Sequence, residues 1–217
     1  EKGSVRDNAV ARCDPTCEKA TPENPQIFRS CKFKNNISAQ YAQSTAEGIQ
    51  NHKEAVSMNY EQAMEYIHAV QWAGHKPGLS RTRTLLAALG DPHKRLRFVH
   101  VAGTNGKGST AAMLASCLQA AGYRVGLFTS PFINRFNERI QVDGQQIPDE
   151  ELVQLVERVQ PAADAMTDVP TEFEIITALG MLYFARKQCD IVVLEVGLGG
   201  TLDSTNVIEK PECAVIT

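Results

Sequence analysis

A glycine-rich turn near the middle of the chain carries residues that could bind phosphate. The stretch from Phe98 to Thr110 begins with an apolar run, passes through three glycines and Lys107, and enters a helical pattern at Ala111. A strand, a glycine-rich turn and a helix in this order direct backbone N–H groups and a positive helix end at an anion. Lys107 would add a positive charge, and a hydroxyl nearby could hold Mg²⁺.

This turn differs from the standard P-loop. In the standard pattern four residues separate the glycines, and Ser or Thr follows the lysine directly. Here two residues separate Gly103 from Gly106, and Gly108 stands between Lys107 and Ser109. A tight strand-to-helix turn that binds no ligand is therefore the alternative interpretation.

An acidic residue is predicted at the same edge of the sheet. Residues 190–194 form an apolar run of the buried-strand type, and Glu195 follows at its end. The carboxyl ends of parallel strands form the edge at which open α/β sheets bind ligands. A carboxylate beside a phosphate site is what Mg²⁺ coordination requires, whereas a solvated strand-end carboxylate is the alternative.

Helical and strand patterns alternate through the second part of the chain, which predicts an α/β fold with a mostly parallel sheet flanked by helices. We predict helices at 58–73, 79–89, 106–121 and 171–187, another from 149 to at least 159, strands at 97–103, 123–129, 190–194 and 213–217, and a hairpin at 139–147. The 106–121 helix is predicted to bury Met113, Leu114, Cys117, Leu118 and Ala121. Cys189 and Cys213 are likewise predicted to be core residues, and Gly122 is predicted to cap the 106–121 helix.

Composition sets the first 57 residues apart from the rest. They are rich in Asn, Gln, Thr, Pro and charge and show no apolar period, which predicts a disordered or non-native extension before a domain at 58–217. A net charge of −3 gives no argument for nucleic acid as a partner. No apolar run approaches the roughly 18 residues of a membrane span. Six cysteines without a C-x-x-C pair, and no signal peptide, favour a reducing cytoplasm over a zinc site at Cys13, Cys17 and Cys31.

Four motifs in order resemble the folylpolyglutamate synthase/dihydrofolate synthase family, the folate branch of the Mur ligases. They are VAGTNGKGST at 101–110, TSP at 129–131, RFNERI at 135–140, and LEVGLGG at 194–200 with LDSTN at 202–206. The resemblance runs from about Met58 to Thr217. It implies a P-loop-containing Mur-ligase-type domain in a monomeric enzyme.

The resemblance also implies the reaction and its residues. ATP and Mg²⁺ would support the addition of L-glutamate to the carboxylate of folate or dihydropteroate through an acyl phosphate, with Lys107 and Glu195 as catalytic residues. The implied ATP-binding residues are Asn105, Gly106, Lys107, Gly108 and Ser109, and the implied metal ligands are Ser109, Ser130 and Glu195. The implied substrate residues are Pro77, Gly78, Phe173, which would stack on the pterin, and Asp203, which would hydrogen-bond it. A core aromatic in the first turn of a helix is the alternative for Phe173.

Two other functions stay open at this point. The family carries a further metal-binding segment and a C-terminal domain, so the resemblance implies a C-terminally truncated domain that is inactive alone. A non-catalytic nucleotide-binding fragment is then one alternative. A Mur ligase acting on a cell-wall precursor is the other, although those enzymes usually place Thr or Ser directly after the lysine, where this chain has Gly108.

Overall fold

The computed structural model describes residues 58–69 and 78–217 of the chain. The predicted extension at 1–57 and the predicted substrate residue Pro77 lie outside the described residues, so both stay predictions. The end of the helix predicted at 58–73 lies outside them as well, and its described part, α1, spans Tyr60–Ala69.

A six-stranded mixed sheet forms the centre of the domain, in the order β4-β3-β2-β5-β1-β6. Its parallel strands are β1 (Phe98–Ala102), β2 (Val125–Phe128), β5 (Ile191–Glu195) and β6 (Cys213–Ile216). The hairpin of β3 (Ile140–Val142) and β4 (Gln145–Gln146) pairs antiparallel with β2. The predicted mostly parallel α/β fold and the predicted hairpin are therefore confirmed.

Four further α-helices lie within the described ranges. They are α2 (Ser80–Ala88), α3 (Lys107–Ala120), α4 (Asp149–Asp164) and α5 (Glu172–Arg186). The start of α5 is fixed by a capping box, in which the Thr171 hydroxyl accepts the Glu174 N–H and the Glu174 carboxylate accepts the Thr171 N–H. Three acidic residues in the first turn of α4 stabilise that end of the helix dipole.

The larger core lies on the face of the sheet that α5 covers. From Glu174 to Phe184 every residue of α5 is buried, because the helix lies between the sheet and α1, α2 and α4. A helix in that position needs apolar residues all round, and the sequence from Ile175 to Phe184 supplies them. This packing positions the N-terminal end of α5 beside the ends of β2 and β5.

The other face carries a smaller core, and here the predicted burial is wrong. Helix α3 buries Ala111 and Ala115 against the sheet, while Leu114 and Leu118 are half-buried. The side chains predicted to be buried include three that are exposed: Met113 at 62%, Cys117 and Ala121. Apolar residues occur on every side of this helix, so their spacing does not identify the side that packs, and the small alanines allow a close approach to the strands.

The predicted helix cap is confirmed, whereas the predicted burial of two cysteines is right for one of them and wrong for the other. Gly122 has a positive φ of 88° directly after α3, which confirms it as the helix cap. Cys189 is buried as predicted, and burial raises the pKa of its thiol to about 11. Cys213 is exposed, because β6 is the edge strand of the sheet and only Val215 of that strand packs against the smaller core.

Gly126 in β2 is required by the close approach of α5. A Cβ at this position would lie 2.6 Å from Cδ1 of the Phe184 ring. We predict that Gly126→Ala lowers the free energy of unfolding by about 1–3 kcal/mol through overpacking, more than the roughly 0.4–1 kcal/mol gained from a less flexible unfolded chain. Urea denaturation measures the change, and Ser116→Ala on the exposed side of α3 is the control. Equal stability of Gly126→Ala and the control would contradict this account.

Candidate functional site

The glycine-rich turn joins β1 to α3 as predicted, with Lys107 as the first residue of the helix. Gly103 and Gly106 have φ angles of 142° and 77°, values that glycine adopts without strain. A Cβ at Gly103 would also lie 2.7 Å from the backbone oxygen of Thr217, at the end of β6. The Thr217 hydroxyl in turn donates to the Asn105 carbonyl at 2.6 Å, so the neighbouring strand supports the turn.

Glu195 ends β5 beside this turn and is buried, with 3% of its surface exposed. Its Oε2 atom accepts the backbone N–H of Ser130 at 3.1 Å. A Cβ on Gly108 would lie 3.6 Å from the same oxygen, so the first turn of α3 is next to the carboxylate. Ser130, Glu195 and the helix end that carries Ser109 therefore meet at one edge of the sheet.

The electrostatics of Glu195 suit a bound cation. Burial raises the pKa of its carboxyl above the usual value, and the Ser130 N–H and the charge of Lys107 act in the opposite direction. A desolvated carboxylate of this kind is stabilised by a positive ion next to it. Its oxygen atoms, with hydroxyls nearby, are the hard ligands that Mg²⁺ prefers.

The donor set also fits Mg²⁺ better than a transition metal. Within residues 58–69 and 78–217, no three His, Cys, Asp or Glu side chains cluster closely enough to hold a metal. Mg²⁺ at phosphate sites usually uses one or two carboxylates, several waters and the phosphates themselves. One carboxylate from Glu195 with the hydroxyls of Ser109 and Ser130 matches that pattern.

A cavity of about 370 Å³ opens at the same edge of the sheet. It brings together three of the four predicted substrate residues and one predicted metal ligand: Gly78, Phe173, Asp203 and Ser130. The Phe173 ring lies 6.1 Å from the Phe128 ring, centroid to centroid, so it packs on the core and also lines the cavity. Phe173 therefore packs on the core, and its stacking on a substrate ring stays a prediction.

Asp203 is held in one orientation by the loop that carries it. Its Oδ2 accepts the Leu198 N–H at 2.8 Å, and its Oδ1 accepts the Thr205 N–H at 3.0 Å. The Thr205 hydroxyl also donates to Oδ1. The carboxylate therefore acts as an acceptor with a fixed direction on the cavity wall.

His100 in β1 extends this network, and its role was not predicted from the sequence. Its Nε2 atom lies 2.9 Å from the Thr205 hydroxyl oxygen. Because that hydroxyl donates its hydrogen bond to Asp203, it accepts one from His100. The neutral His100 ring therefore carries its proton on Nε2. Burial lowers the pKa of His100 and keeps the ring neutral. A histidine within an otherwise apolar strand was the only signal in the sequence.

Comparison with known proteins identifies the family. No family model matches the chain. It is 53% identical over 163 residues to the dihydrofolate synthase/folylpolyglutamate synthase of Bacillus subtilis, covering 73% of this chain and 38% of that protein. It is 48% identical over 165 residues to the folylpolyglutamate synthase of Lacticaseibacillus casei, covering 74% and 38%. This chain belongs to the folylpolyglutamate synthase/dihydrofolate synthase family.

The fold of these synthases agrees with the assignment. A solved complex of a folylpolyglutamate synthase with AMPPCP and folate superposes with a TM-score of 0.69 at 48% identity, covering 73% of this chain and 40% of that one. The chain thus spans about two fifths of the length of its synthase relatives. No helix within the described residues is long and apolar enough to cross a bilayer.

Proposed function

We propose that this protein is an ATP-dependent ligase that adds L-glutamate to the carboxylate of a folate or dihydropteroate acceptor. One observation carries the proposal: a glycine-rich turn with Lys107, the buried Glu195 and a cavity lined by Phe173 and Asp203 meet at one sheet edge. The names of the relatives and the folate and AMPPCP in the solved synthase complex support it.

The nucleotide would bind at the N-terminal end of α3. The turn of Asn105 and Gly106 and the first helical residues, Lys107, Gly108 and Ser109, face the phosphates in this proposal. Lys107 supplies a positive charge near the transferring phosphoryl group. Ser109, Ser130 and Glu195 would hold Mg²⁺, which neutralises phosphate charge when it is bound.

The acceptor would occupy the cavity beside this site. Phe173 presents an aromatic wall to its pterin ring, and Asp203 accepts hydrogen bonds from ring N–H groups. The acceptor carboxylate then attacks the γ-phosphorus of ATP, giving an acyl phosphate and ADP. The neutral glutamate amine attacks the acyl carbon, inorganic phosphate leaves with the C–O electron pair, and the nitrogen releases one proton to solvent to leave the amide. Alignment of the two anions supplies much of the rate.

The test is incorporation of radiolabelled glutamate by protein expressed from the complete reading frame, because the synthase relatives are longer than this chain. Reactions contain ATP and Mg²⁺ with dihydropteroate, with tetrahydrofolate, or with no acceptor. We expect acceptor-dependent incorporation with release of one phosphate per glutamate added. Nucleotide binding without incorporation would favour the non-catalytic nucleotide-binding alternative.

We also propose a domain division between residues 57 and 58 and a cytoplasmic location. The composition of residues 1–57 and the free Cys117, Cys189 and Cys213 within the described part support these two proposals. Deleting residues 1–57 should leave the thermal unfolding midpoint of the remaining domain unchanged within about 2 °C, because surface changes away from a core alter stability little. A markedly lower midpoint by circular dichroism would place these residues in the domain.

A further inference from the structure

Arg139 has no role in the site as described so far, yet it is the only positively charged side chain among the described residues that line the cavity. The other charged side chains on that wall are acidic: Glu172, Glu174 and Asp203. The charges of Glu172 and Glu195 both act on the Arg139 guanidinium, so it lies near both carboxylates. Arg139 is therefore the one cationic group that the described lining of the cavity offers to an anionic ligand.

The Arg139 guanidinium makes no hydrogen bond and no ion pair with any other residue in the described ranges. Its Nε atom is buried and has no partner. Arg81 shows the contrast, because this buried arginine donates to Glu174 at 3.0 Å and to Asp168 at 3.3 Å. Buried polar groups are almost always hydrogen-bonded, so an arginine left with free donors in a cavity indicates a ligand.

The structure holds Arg139 in position without using its donors. The guanidinium carbon lies 5.1 Å from the Phe132 ring centroid and 5.7 Å from that of Phe136. The Arg139 carbonyl accepts the Thr129 N–H at 3.0 Å, which ties this segment to the end of β2. The preceding turn is closed by the Glu138 carboxylate, which accepts backbone N–H groups of residues 133–135. The side chain is therefore preorganised.

The ligand of such a group is an oxyanion. A guanidinium is always charged and presents N–H donors in a planar fork that matches the two oxygens of a carboxylate. The acceptor and the nucleotide both carry oxyanions, but the nucleotide phosphates have Lys107 and the N–H groups of α3. Asp203 also lines the cavity and is an acceptor that repels a carboxylate, as do the carboxylates of Glu172 and Glu174. These positions orient the acceptor with its carboxylate toward Arg139.

We propose that Arg139 binds the carboxylate of the acceptor and holds it beside Ser130 and Glu195, where it becomes phosphorylated. This inference rests on the proposed ligase function and adds the residue that recognises the reacting group. It makes the cavity specific for acceptors with an ionised carboxylate that reaches Arg139. The glutamate that is added does not enter this contact.

The experiment pairs a change in the ligand with a change in the residue. Protein from the complete reading frame is titrated with dihydropteroate and with its carboxamide, in which the carboxylate is a primary amide. The unsubstituted protein should bind the carboxylate roughly 10- to 100-fold more tightly, the range for hydrogen bonds to charged groups. In Arg139→Gln this preference should disappear, and in Arg139→Lys, which keeps the charge without the fork, part of it should remain.

Arg135→Gln is the matched control, because Arg135 lies in the same segment but is exposed and binds Asp149. It should keep the full preference for the carboxylate. A preference that persists in Arg139→Gln overturns this inference, and the ligase function stands if glutamate incorporation continues. If Arg139→Gln loses affinity for AMPPCP but keeps its preference for the carboxylate, the inference is also overturned, and Arg139 contacts a nucleotide phosphate instead. Failure of the unsubstituted protein to bind either acceptor would overturn the ligase proposal itself. If Arg139→Gln does not fold, Arg139→Lys replaces it in the test. A reduced preference for the carboxylate in Arg139→Lys supports the inference, and an unchanged preference overturns it.

Discussion

Replacing Lys107 by Ala should lower the rate of glutamate addition roughly a thousandfold, the upper range for losing one charged group that stabilises a transition state. Lys107 is the first residue of α3 and lies close enough to Glu195 for its charge to act on that carboxyl. Lys107 is the one lysine of this turn, so in the proposed reaction no other lysine there could balance the negative charge on the transferring phosphoryl group. The measurement is kcat for radiolabelled glutamate incorporation, with AMPPCP affinity measured in parallel.

Lys210→Ala is the control for the loss of a positive charge, because Lys210 is exposed in the segment before β6. Its kcat should equal that of the unsubstituted protein. If Lys107→Ala turned over at a comparable rate, the turn between β1 and α3 would not be the phosphate site. A raised Kd for AMPPCP with an unchanged kcat would assign Lys107 to ground-state binding alone.

Replacing Glu195 by Gln should have the second largest effect, about two to three orders of magnitude in kcat, because a Lewis-acid contribution of several kcal/mol depends on holding Mg²⁺. The amide oxygen can still accept the Ser130 N–H, so the local geometry is retained. The amide lacks the charge that binds the cation. The measurement is the Mg²⁺ concentration needed for half-maximal rate, which should rise, together with the maximal rate, which should fall.

We also predict the effect of Glu195→Gln on stability. Burial raises the pKa of Glu195 in the folded state, so the folded protein binds more protons than the unfolded chain in the window between the two pKa values. The free energy of unfolding therefore falls as pH rises through that window, and it stays lowered at neutral pH, where Glu195 is ionised. Without Mg²⁺, Glu195→Gln should unfold at a higher temperature at pH 7 and lose part of this difference at pH 4.

Glu212→Gln is the control for that substitution, because Glu212 is half-exposed and pairs with Arg97 at the edge of the sheet. Its Mg²⁺ requirement should be unchanged. A Glu195→Gln protein that keeps full activity at the ordinary Mg²⁺ concentration would remove this carboxylate from the metal site. An unfolding temperature below that of the unsubstituted protein would show that the buried charge is already compensated within the fold.

The main elements could be predicted from the sequence because local signals and tertiary packing agree there. The apolar run at 98–102 leads into the glycine-rich turn, and β1 and α3 are found at those positions. The helix predicted to begin at 171 is α5, which Thr171 caps, and the hairpin predicted at 139–147 turns at Asp143 and Gly144. Glu195 follows a buried strand, and the parallel pairing of β5 with β1 brings it beside the turn.

The contacts between distant segments could not be predicted in the same way. Which side of α3 packs on the sheet depends on how closely the helix approaches the strands, and its sequence is apolar on every side. The link from His100 to Thr205 joins residues 105 positions apart. In the sequence Arg139 was only the last arginine of the RFNERI motif, at the start of the predicted hairpin. The folded structure shows that two phenylalanine rings pack on it and that its buried Nε has no partner among the described residues.

The unequal covering of the two sheet faces has a consequence for local opening. On the larger face, α5 lies between the sheet and three helices, whereas α3 alone packs on the smaller cluster of the described residues. Segments with few buried apolar contacts open at lower free-energy cost and exchange their amide hydrogens faster. The amides of α3 should therefore exchange before those of α5. Because the proposed phosphate contacts lie at the first turn of α3, a bound nucleotide would stabilise the least protected layer of the domain.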